Sequence, residues 1–262
     1  MRFAFMSFSC PELSLEEMIG VAKRFGYQGI EPRIVSGHKH GIELDATTEF
    51  RSQCKELSEK SGVKLCCVAT SCVYADPEKT EEMVQTTHGA IDLAADVGAT
   101  RIRVFGGRIP EDVARERAID LLVDSFNAVA DHAAEREVIV SAETHDHWCD
   151  PVHLAEVMKR VNHPAIGVNW DIMHPVRTGG VTMDAAFETL KPWIRHVHFH
   201  DGAEREGKHT LVPIGEGDID HKRAVQLLQS IHYEGFLSGE WIGWEPWETH
   251  LPRELATMKG FL

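Results

Sequence analysis

The chain has 262 residues, of which 43% are hydrophobic and 26% are charged, as is usual for a globular protein with a packed core. Its formal net charge of -14 argues against non-specific binding to nucleic acid or to an anionic membrane, because both require a basic face. No apolar run approaches the roughly 18 residues of a membrane span, and polar residues interrupt the N-terminal segment too early for a secretion signal.

The six cysteines indicate a reducing compartment. They show no paired CxxC spacing of a zinc site, and several lie inside apolar segments. No neighbouring group marks any of them as an activated nucleophile. Because there is no export signal, we expect reduced thiols and a cytoplasmic protein.

Predicted strands and helices alternate along the whole chain. The first helix begins with a capping box, Ser14-Leu-Glu-Glu17, and ends at Gly26. Asp76-Pro77 marks the start of a later helix in the same way. A long polar loop is predicted over residues 201–217. The predicted strands are residues 2–9, 28–31, 63–69, 101–105, 138–143, 165–170, 194–199 and 235–240, and the helices after them are about 14–26, 45–61, 77–98, 111–136, 151–161, 183–190, 221–232 and 247–260.

Eight strand–helix units without a linker predict an α/β fold with a parallel sheet. Eight units in 262 residues favour a closed (β/α)8 barrel, formed by a single domain over residues 1–262, over an open doubly wound sheet. A dinucleotide-binding domain would need fewer units and a GxGxxG turn after its first strand, and the sequence has no such turn.

Acidic and imidazole side chains follow four consecutive predicted strands. Glu143 and Glu240 end the fifth and eighth strands, and Asp171 directly follows the sixth. The seventh strand carries His196 and His198, and His200 directly follows it. The three histidines alternate onto one face, so their positions alone do not decide which of them is functional. In a barrel of this kind the carboxyl ends of the strands form the active site, and neighbouring strands lie about 4.8 Å apart.

One such residue on its own would be ordinary. A single glutamate at a strand end is usually solvated, and a single histidine is as often a satisfied core residue. Several carboxylates pointing into one barrel, however, each need a partner. Three carboxylates and one imidazole form an oxygen-rich set that suits Mn²⁺ best, with Mg²⁺ or Co²⁺ as alternatives. We therefore predict one divalent metal at the barrel mouth.

The spacing of these residues resembles a known superfamily. Glu143-x-His145, Asp171-x-x-His174, His196-x-His198-x-x-Asp201, the later Gly215-x-Gly217 and the final Glu240 together resemble the xylose isomerase-like TIM barrels. The resemblance covers essentially the whole chain. It is strongest to the sugar-phosphate isomerase/epimerase group, which includes ketose 3-epimerases, hydroxypyruvate isomerase and inosose dehydratases.

The resemblance implies a role for particular residues. The metal ligands would be Glu143, Asp171, His198 and Glu240, with the two glutamates also serving as the acid/base pair on opposite faces of the substrate. His174 would bind a substrate oxygen near the metal. His145 would be a pocket residue, and Arg205 is the candidate for an arginine that the epimerases carry after the seventh strand. Related barrels often pair, so a homo-oligomer is compatible with this assignment.

These features predict a metal-dependent sugar isomerase or epimerase that acts through an enediolate on a small sugar or keto-sugar. The first alternative is a lyase, because the same enediolate can expel a β-hydroxyl group from a keto-sugar or keto-inositol. Two further alternatives are an abasic-site (AP) endonuclease-like enzyme, which the acidic charge disfavours, and a non-catalytic sugar-binding barrel.

Overall fold

In the computed structural model, which describes residues 1–262, nine parallel strands form one sheet. Its order is β3-β2-β1-β11-β8-β7-β6-β5-β4. The strands are β1 (Arg2–Met6), β2 (Gly29–Glu31), β3 (Lys64–Leu65), β4 (Val68–Val73), β5 (Arg101–Phe105), β6 (Ile139–Glu143), β7 (Ile166–Asp171), β8 (Ile194–Phe199) and β11 (Phe236–Gly239).

The third barrel strand is divided into β3 and β4, and the proximity of these two segments closes the sheet into a barrel. β3 and β4 occupy the two ends of the sheet order, although only Cys66 and Cys67 separate them in the chain. β3 pairs with β2, whereas β4 pairs with β5. A parallel bridge from Arg33 to Ala69 and a hydrogen bond from the Ile34 amide to the Ala69 carbonyl (3.0 Å) join the two sides. The predicted (β/α)8 barrel is therefore confirmed.

The helices surround the barrel. Ser14 and Glu17 form the predicted capping box, since each side chain accepts a hydrogen bond from the backbone amide of the other. Gly26, Gly62 and Gly98 end three helices in the left-handed conformation. The helices are α1 (Leu15–Phe25), α2 (Thr48–Ser61), α3 (Thr80–Val97), α4 (Arg115–Glu135), α5 (Pro151–Val161), α6 (His174–Arg177), α7 (Met183–Leu190), α8 (His221–Ser230) and α9 (Trp247–Lys259).

The segment predicted as a polar loop over residues 201–217 instead contains an antiparallel hairpin. β9 (Asp201–Arg205) pairs with β10 (Lys208–Val212), and Glu206 and Gly207 form the turn with φ of 53° and 72°. Only the remainder of that segment is irregular. The hairpin lies at the carboxyl end of β8, beside the barrel mouth.

The apolar core lies between the sheet and the helices, where 67 buried residues form one cluster. The inside of the barrel is different, because only Ala4, Cys66, Cys67 and Phe236 form a small apolar cluster there. Many other inward positions carry buried polar or charged side chains, among them Arg103, Ser141, Asn169 and His196. The six cysteines are all buried and unpaired. No helix has both the length and the apolar character that crossing a membrane would require. The cytoplasmic location and the homo-oligomer stay predictions.

Candidate metal and substrate site

Four strands each place one predicted ligand residue at the carboxyl end of the barrel. Glu143 and Asp171 are the last residues of β6 and β7, and Glu240 directly follows β11. The parallel register sets His198 beside both Asp171 on β7 and Ser238 on β11. One ligand atom from each of Glu143, Asp171, His198 and Glu240 lies within 4.8 Å of every other. The structure thus brings the four sequence-predicted residues together.

His198 lies at the centre of this group. Its Nδ1 atom is 3.4 Å from Glu143 Oε1 and 3.2 Å from Glu240 Oε2. Burial alone would lower the pKa of His198, but the carboxylates of Glu31 and Glu143 raise it well above its ordinary value. Burial likewise opposes ionisation of Glu240, whereas its hydrogen bond to His198 and the charge of His198 lower its pKa to about 2.

Glu31, at the end of β2, holds the opposite side of the His198 ring. Its carboxylate is 3.0 Å from His198 Nε2 and 2.7 Å from His196 Nε2, and all three side chains are fully buried. Burial would raise the pKa of Glu31, but the two histidines lower it well below its ordinary value. A carboxylate behind a metal-binding histidine fixes both the ring orientation and the tautomer. Glu31 therefore supports the ligand group from below.

Arg103 on β5 faces the same group. Its Nε atom lies 3.0 Å from Glu143 Oε2, and each of the two side chains is 1% exposed. Its Nη1 atom donates to the Thr70 carbonyl (2.7 Å), and its guanidinium lies over the ring of Phe105. A buried glutamate needs such compensation to stay ionised. Arg103 thus orients Glu143 and balances part of the negative charge.

The donor atoms fit a hard divalent cation. Glu143 Oε1 and Asp171 Oδ2 are buried and lack a hydrogen bond of good geometry, and their nearest partners are the imidazoles of His198 (3.4 Å) and His200 (2.9 Å). Three carboxylates and one imidazole supply the ligand types that Mn²⁺, Mg²⁺ and related ions accept. His174 and His200 form a second potential group that shares Asp171. That these residues bind a metal stays a prediction.

A cavity of about 240 Å³ opens directly above the ligand group. Glu240 forms part of its wall, and the predicted residues His145 and His174 form another part, with their rings 4.7 Å apart. His200 also borders the cavity and lies 2.9 Å from Asp171 Oδ2. The remaining wall is formed by Met173, His209, Leu211 and Ile242. The space is suited to a small polar molecule.

The structure does not bring Arg205 to this cavity. Arg205 is the exposed last residue of β9, opposite Lys208, and it is absent from the cavity wall. The physical reason is the hairpin, which places Arg205 at its tip and its second strand against the cavity. His209 and Leu211 of that strand line the cavity instead.

Sequence reasoning missed two of the supporting residues. The strand-end position of Glu31 predicts a substrate contact or a hydrogen bond to Arg33 or a backbone amide, not contacts with two histidines, and Arg103 was overlooked. The signal for Arg103 was a charge inside the apolar strand Arg101-Ile-Arg-Val-Phe105, at an alternating position that faces the barrel interior. His209 carried no signal, since its segment was predicted as a loop.

A family model described as the xylose isomerase-like TIM barrel matches residues 19–260. The chain belongs to this family. That membership confirms the resemblance drawn from the sequence pattern, and the relatives include a dehydratase, epimerases and hydroxypyruvate isomerases.

Two curated relatives illustrate the range of activities. A 3-dehydroshikimate dehydratase of Bacillus anthracis is 24% identical over 257 residues, which is 91% of this chain and 89% of the relative. A putative hydroxypyruvate isomerase of Xenopus laevis is 24% identical over 179 residues, which is 64% of this chain and 63% of the relative.

Solved structures share the fold at low identity. The probable 3-DHS dehydratase AsbF of Bacillus anthracis has a TM-score of 0.82 at 19% identity, covering 99% of both chains. The IolI protein with a bound zinc atom has a TM-score of 0.80 at 18% identity, covering 100% of this chain and 96% of IolI. A D-psicose 3-epimerase has a TM-score of 0.79 at 15% identity, covering 100% and 99%. At these identities the likeness shows the fold alone.

Proposed function

We propose that this protein is a divalent-metal-dependent isomerase or epimerase of a sugar or sugar-like hydroxy ketone, acting through an enediolate. The observation that carries the proposal is the buried group of Glu143, Asp171, His198 and Glu240 beside a small cavity whose wall contains Glu240 and four histidines. A bound divalent cation there supplies Lewis acidity toward a carbonyl oxygen and a neighbouring hydroxyl of the substrate.

The two glutamates differ in their surroundings, and this supports different roles. Glu240 borders the cavity, so its carboxylate can reach a proton on a bound substrate. Glu143 is more deeply buried and faces Arg103. We assign Glu240 as the base for the first proton transfer, and Glu143 as a metal ligand and the acid/base group on the other side of the carbon.

The histidines on the cavity wall suit the recognition of hydroxyl groups. His145, His174 and His200 border the same space, and each ring can donate to or accept from a hydroxyl group. The charge of Asp171, 2.9 Å away, helps to raise the pKa of His200 above its ordinary value although burial opposes this. A protonated His200 would stabilise a partial negative charge on a substrate oxygen.

Solvent exchange at the reacting carbon tests this proposal. The protein, stripped of metal and reloaded with Mn²⁺, is incubated in D2O with a panel of ketoses, and NMR follows deuterium incorporation and the appearance of epimers or isomers. We expect exchange that EDTA abolishes and that Glu240→Gln reduces by about 10²-fold or more. Glu248→Gln, at an exposed position in the first turn of α9, is the matched control. Turnover that survives metal removal would contradict the proposal.

A dehydratase is the second candidate, and a specific observation favours it. The Bacillus anthracis dehydratase aligns over 91% of this chain, a longer stretch than the hydroxypyruvate isomerase does. Removing a proton next to a carbonyl and then expelling a β-hydroxyl group needs the same residues. Loss of water forms a conjugated enone, so growth of its ultraviolet absorbance distinguishes this outcome from epimerisation.

Two arginines, the half-buried Arg33 and the buried Arg103, extend the range of substrates that should be assayed. Burial and the charge of Arg103 lower the pKa of Arg33 to about 10, and the charge of Glu240 acts in the opposite direction. Arg33 Nη1 donates to the Ala69 carbonyl (3.4 Å) and Arg103 Nη1 to the adjacent Thr70 carbonyl (2.7 Å), so the two guanidinium groups lie close together, beside the predicted ligand Glu143. Hydroxypyruvate and 3-dehydroshikimate, named in two relatives, both carry a carboxylate. Guanidinium groups bind carboxylates well, so the panel should include carboxylated hydroxy ketones beside neutral sugars.

A further inference from the structure

A second cavity lies at the opposite, amino-terminal end of the barrel. It measures about 560 Å³ and is bordered by the starts of β1, β5 and β8 and by the segment before β11. We call it the basal pocket. Its basic lining residues are Arg2, Arg101, Lys191, Arg195 and His232.

The backbone directs two of these arginines to the inside of the barrel. Arg101 alternates with Arg103, which faces the buried ligand group, so both lie on the inner face of β5. Arg195 is the extra residue of a bulge, because Val168 pairs with Ile194 while the next residue, Asn169, pairs with His196. Bulges of this kind re-aim a side chain.

A glycine makes the space that Arg195 occupies. A Cβ atom on Gly167 of β7 would lie 2.4 Å from Arg195 Cγ and 2.9 Å from the Trp193 carbonyl oxygen. Real Cβ atoms do not approach other atoms so closely. The side chain of Arg195 is therefore accommodated by the barrel wall rather than lying loosely on the surface.

Backbone carbonyl groups hold the three guanidinium groups in place. Arg101 Nε donates to the Arg195 carbonyl (2.7 Å), and Arg195 Nη1 donates to the Pro192 and Ile194 carbonyls (3.1 Å each). Arg2 Nε donates to the Glu234 carbonyl (3.3 Å) and its guanidinium lies over the Phe236 ring. Each guanidinium has five N–H groups, so each keeps donors for a ligand.

No carboxylate neutralises these arginines. None of Arg2, Arg101 and Arg195 has an acidic side-chain oxygen within ion-pair distance, in a chain with 41 acidic and 27 basic residues. Glu234 is the one acidic residue on the pocket wall, and it is exposed. Burial and the neighbouring charge of Arg101 lower the pKa of Arg195. An anion in the pocket would relieve this repulsion.

We propose that the basal pocket binds the phosphate group of a small phosphorylated molecule, at a site separate from the metal and substrate site. Guanidinium forks match phosphate oxygens, and a dianion with three terminal oxygens can accept from three guanidinium groups at once, whereas one carboxylate satisfies a single fork. The volume of about 560 Å³ exceeds that of phosphate alone and leaves room for the molecule that carries it.

The two sites are physically distinct. The buried layer of Glu31, His196, Cys66 and Phe236 separates the basal pocket from the ligand group above. A ligand at the base therefore cannot contact a substrate at the mouth. The proposal does not depend on the reaction assigned to the mouth.

Isothermal titration of the full chain with inorganic phosphate and with pyrophosphate tests the proposal, in Mn²⁺-loaded and in EDTA-stripped protein. We expect saturable binding that does not require the metal. Arg101→Gln and Arg195→Gln should each weaken it by about tenfold or more, the loss expected for a charged hydrogen bond. Arg117→Gln, which removes the same charge from an exposed position on α4, should leave it unchanged.

Thermal unfolding shows whether each variant is folded. If Arg195→Gln does not fold, Lys191→Gln, at an exposed position on the pocket rim, replaces it with an expected loss of a few-fold. Absence of saturable binding, equal binding by wild type and the pocket variants, or binding that disappears on metal removal would each overturn the proposal. So would equally tight binding of acetate at matched ionic strength, because a phosphate site should discriminate against a monoanion.

Discussion

Replacing Glu31 by glutamine tests whether the support beneath the metal site matters. Glu31 accepts hydrogen bonds from His196 Nε2 (2.7 Å) and His198 Nε2 (3.0 Å). An ionised carboxylate can only accept, so a neutral His198 must carry its proton on Nε2. Its Nδ1 lone pair, which can accept a hydrogen bond from the Asn169 side-chain amide (3.1 Å), then faces Glu143 and Glu240, where a cation would bind.

Glu31→Gln keeps the shape of the side chain but removes one of its two acceptors. The amide NH2 group must then face His196 or His198, and it cannot accept their protons. Loss of such a carboxylate partner typically lowers metal affinity by about 10- to 100-fold, or about 1.4–2.7 kcal/mol. Because Glu31 is fully buried and bonds both histidines, we expect the upper part of this range.

The assay is an isothermal calorimetric titration of EDTA-stripped protein with Mn²⁺, which measures the affinity for the metal. Glu254→Gln is the matched control, since Glu254 is also a fully buried glutamate but bonds the Ile214 amide and Arg253, away from the metal site. Thermal unfolding of both variants checks that they fold. If Glu31→Gln binds Mn²⁺ within twofold of wild type, the assignment of Glu31 as a positioning residue is wrong.

Three further predictions concern stability. Removing the metal should lower the melting temperature, because a ligand at 100 times its Kd stabilises the folded state by about 2.7 kcal/mol. A thermal unfolding midpoint that calorimetry finds unchanged after metal removal would contradict the proposed metal site. Arg103→Met should cost about 3–5 kcal/mol by removing the arginine partner of the buried Glu143. Urea unfolding should show that adding Glu143→Gln costs less than the sum of the single changes. Gly20→Ala, with no neighbour within 4 Å, should stabilise helix α1 by about 0.5–1 kcal/mol. Gly106→Ala, whose Cβ would lie 2.4 Å from the Trp148 ring, should instead destabilise by about 1–3 kcal/mol; equal melting shifts of the two alanine variants would refute the contrast.

The features that local chemistry determines could be predicted from the sequence. The capping box at Ser14 and Glu17 depends on residues three apart, and the structure contains both of its hydrogen bonds. The eight strand–helix units follow from apolar periodicity. Once the barrel is inferred, its topology places the ends of β6, β7, β8 and β11 side by side, and this brings Glu143, Asp171 and Glu240 together.

Contacts across the barrel could not be predicted in the same way. Glu31 meets His196, which lies 165 positions later in the chain, only because the sheet closes. The sequence shows that Glu31 ends a strand and that His196 lies in another, but it does not show that their side chains meet inside the barrel. Arg103 opposite Glu143 belongs to the same class of contact.

The hairpin was missed for a different reason. Two-residue turns with positive φ usually contain Asn-Gly or Asp-Gly, whereas here the turn is Glu206-Gly207. The flanking strands are short and polar, so their alternation is weak. The exposed position of Arg205 and the placement of His209 in the cavity wall follow from this turn.

The buried carboxylate of Asp201 anchors the segment that carries the hairpin, so the hairpin can be changed separately from the strand ends. It accepts hydrogen bonds from the backbone amides of Gly202, Gly215, Gly217 and Ile219, at 2.8–3.3 Å, and so secures both ends of the segment that carries the hairpin. The part of the hairpin beyond this anchor contributes His209 and Leu211 to the cavity but none of the four predicted metal ligands. Under the proposed function, mutation or grafting of the hairpin should therefore alter substrate preference while the four predicted metal ligands stay in place. This makes the segment a suitable starting point for changing specificity in the laboratory.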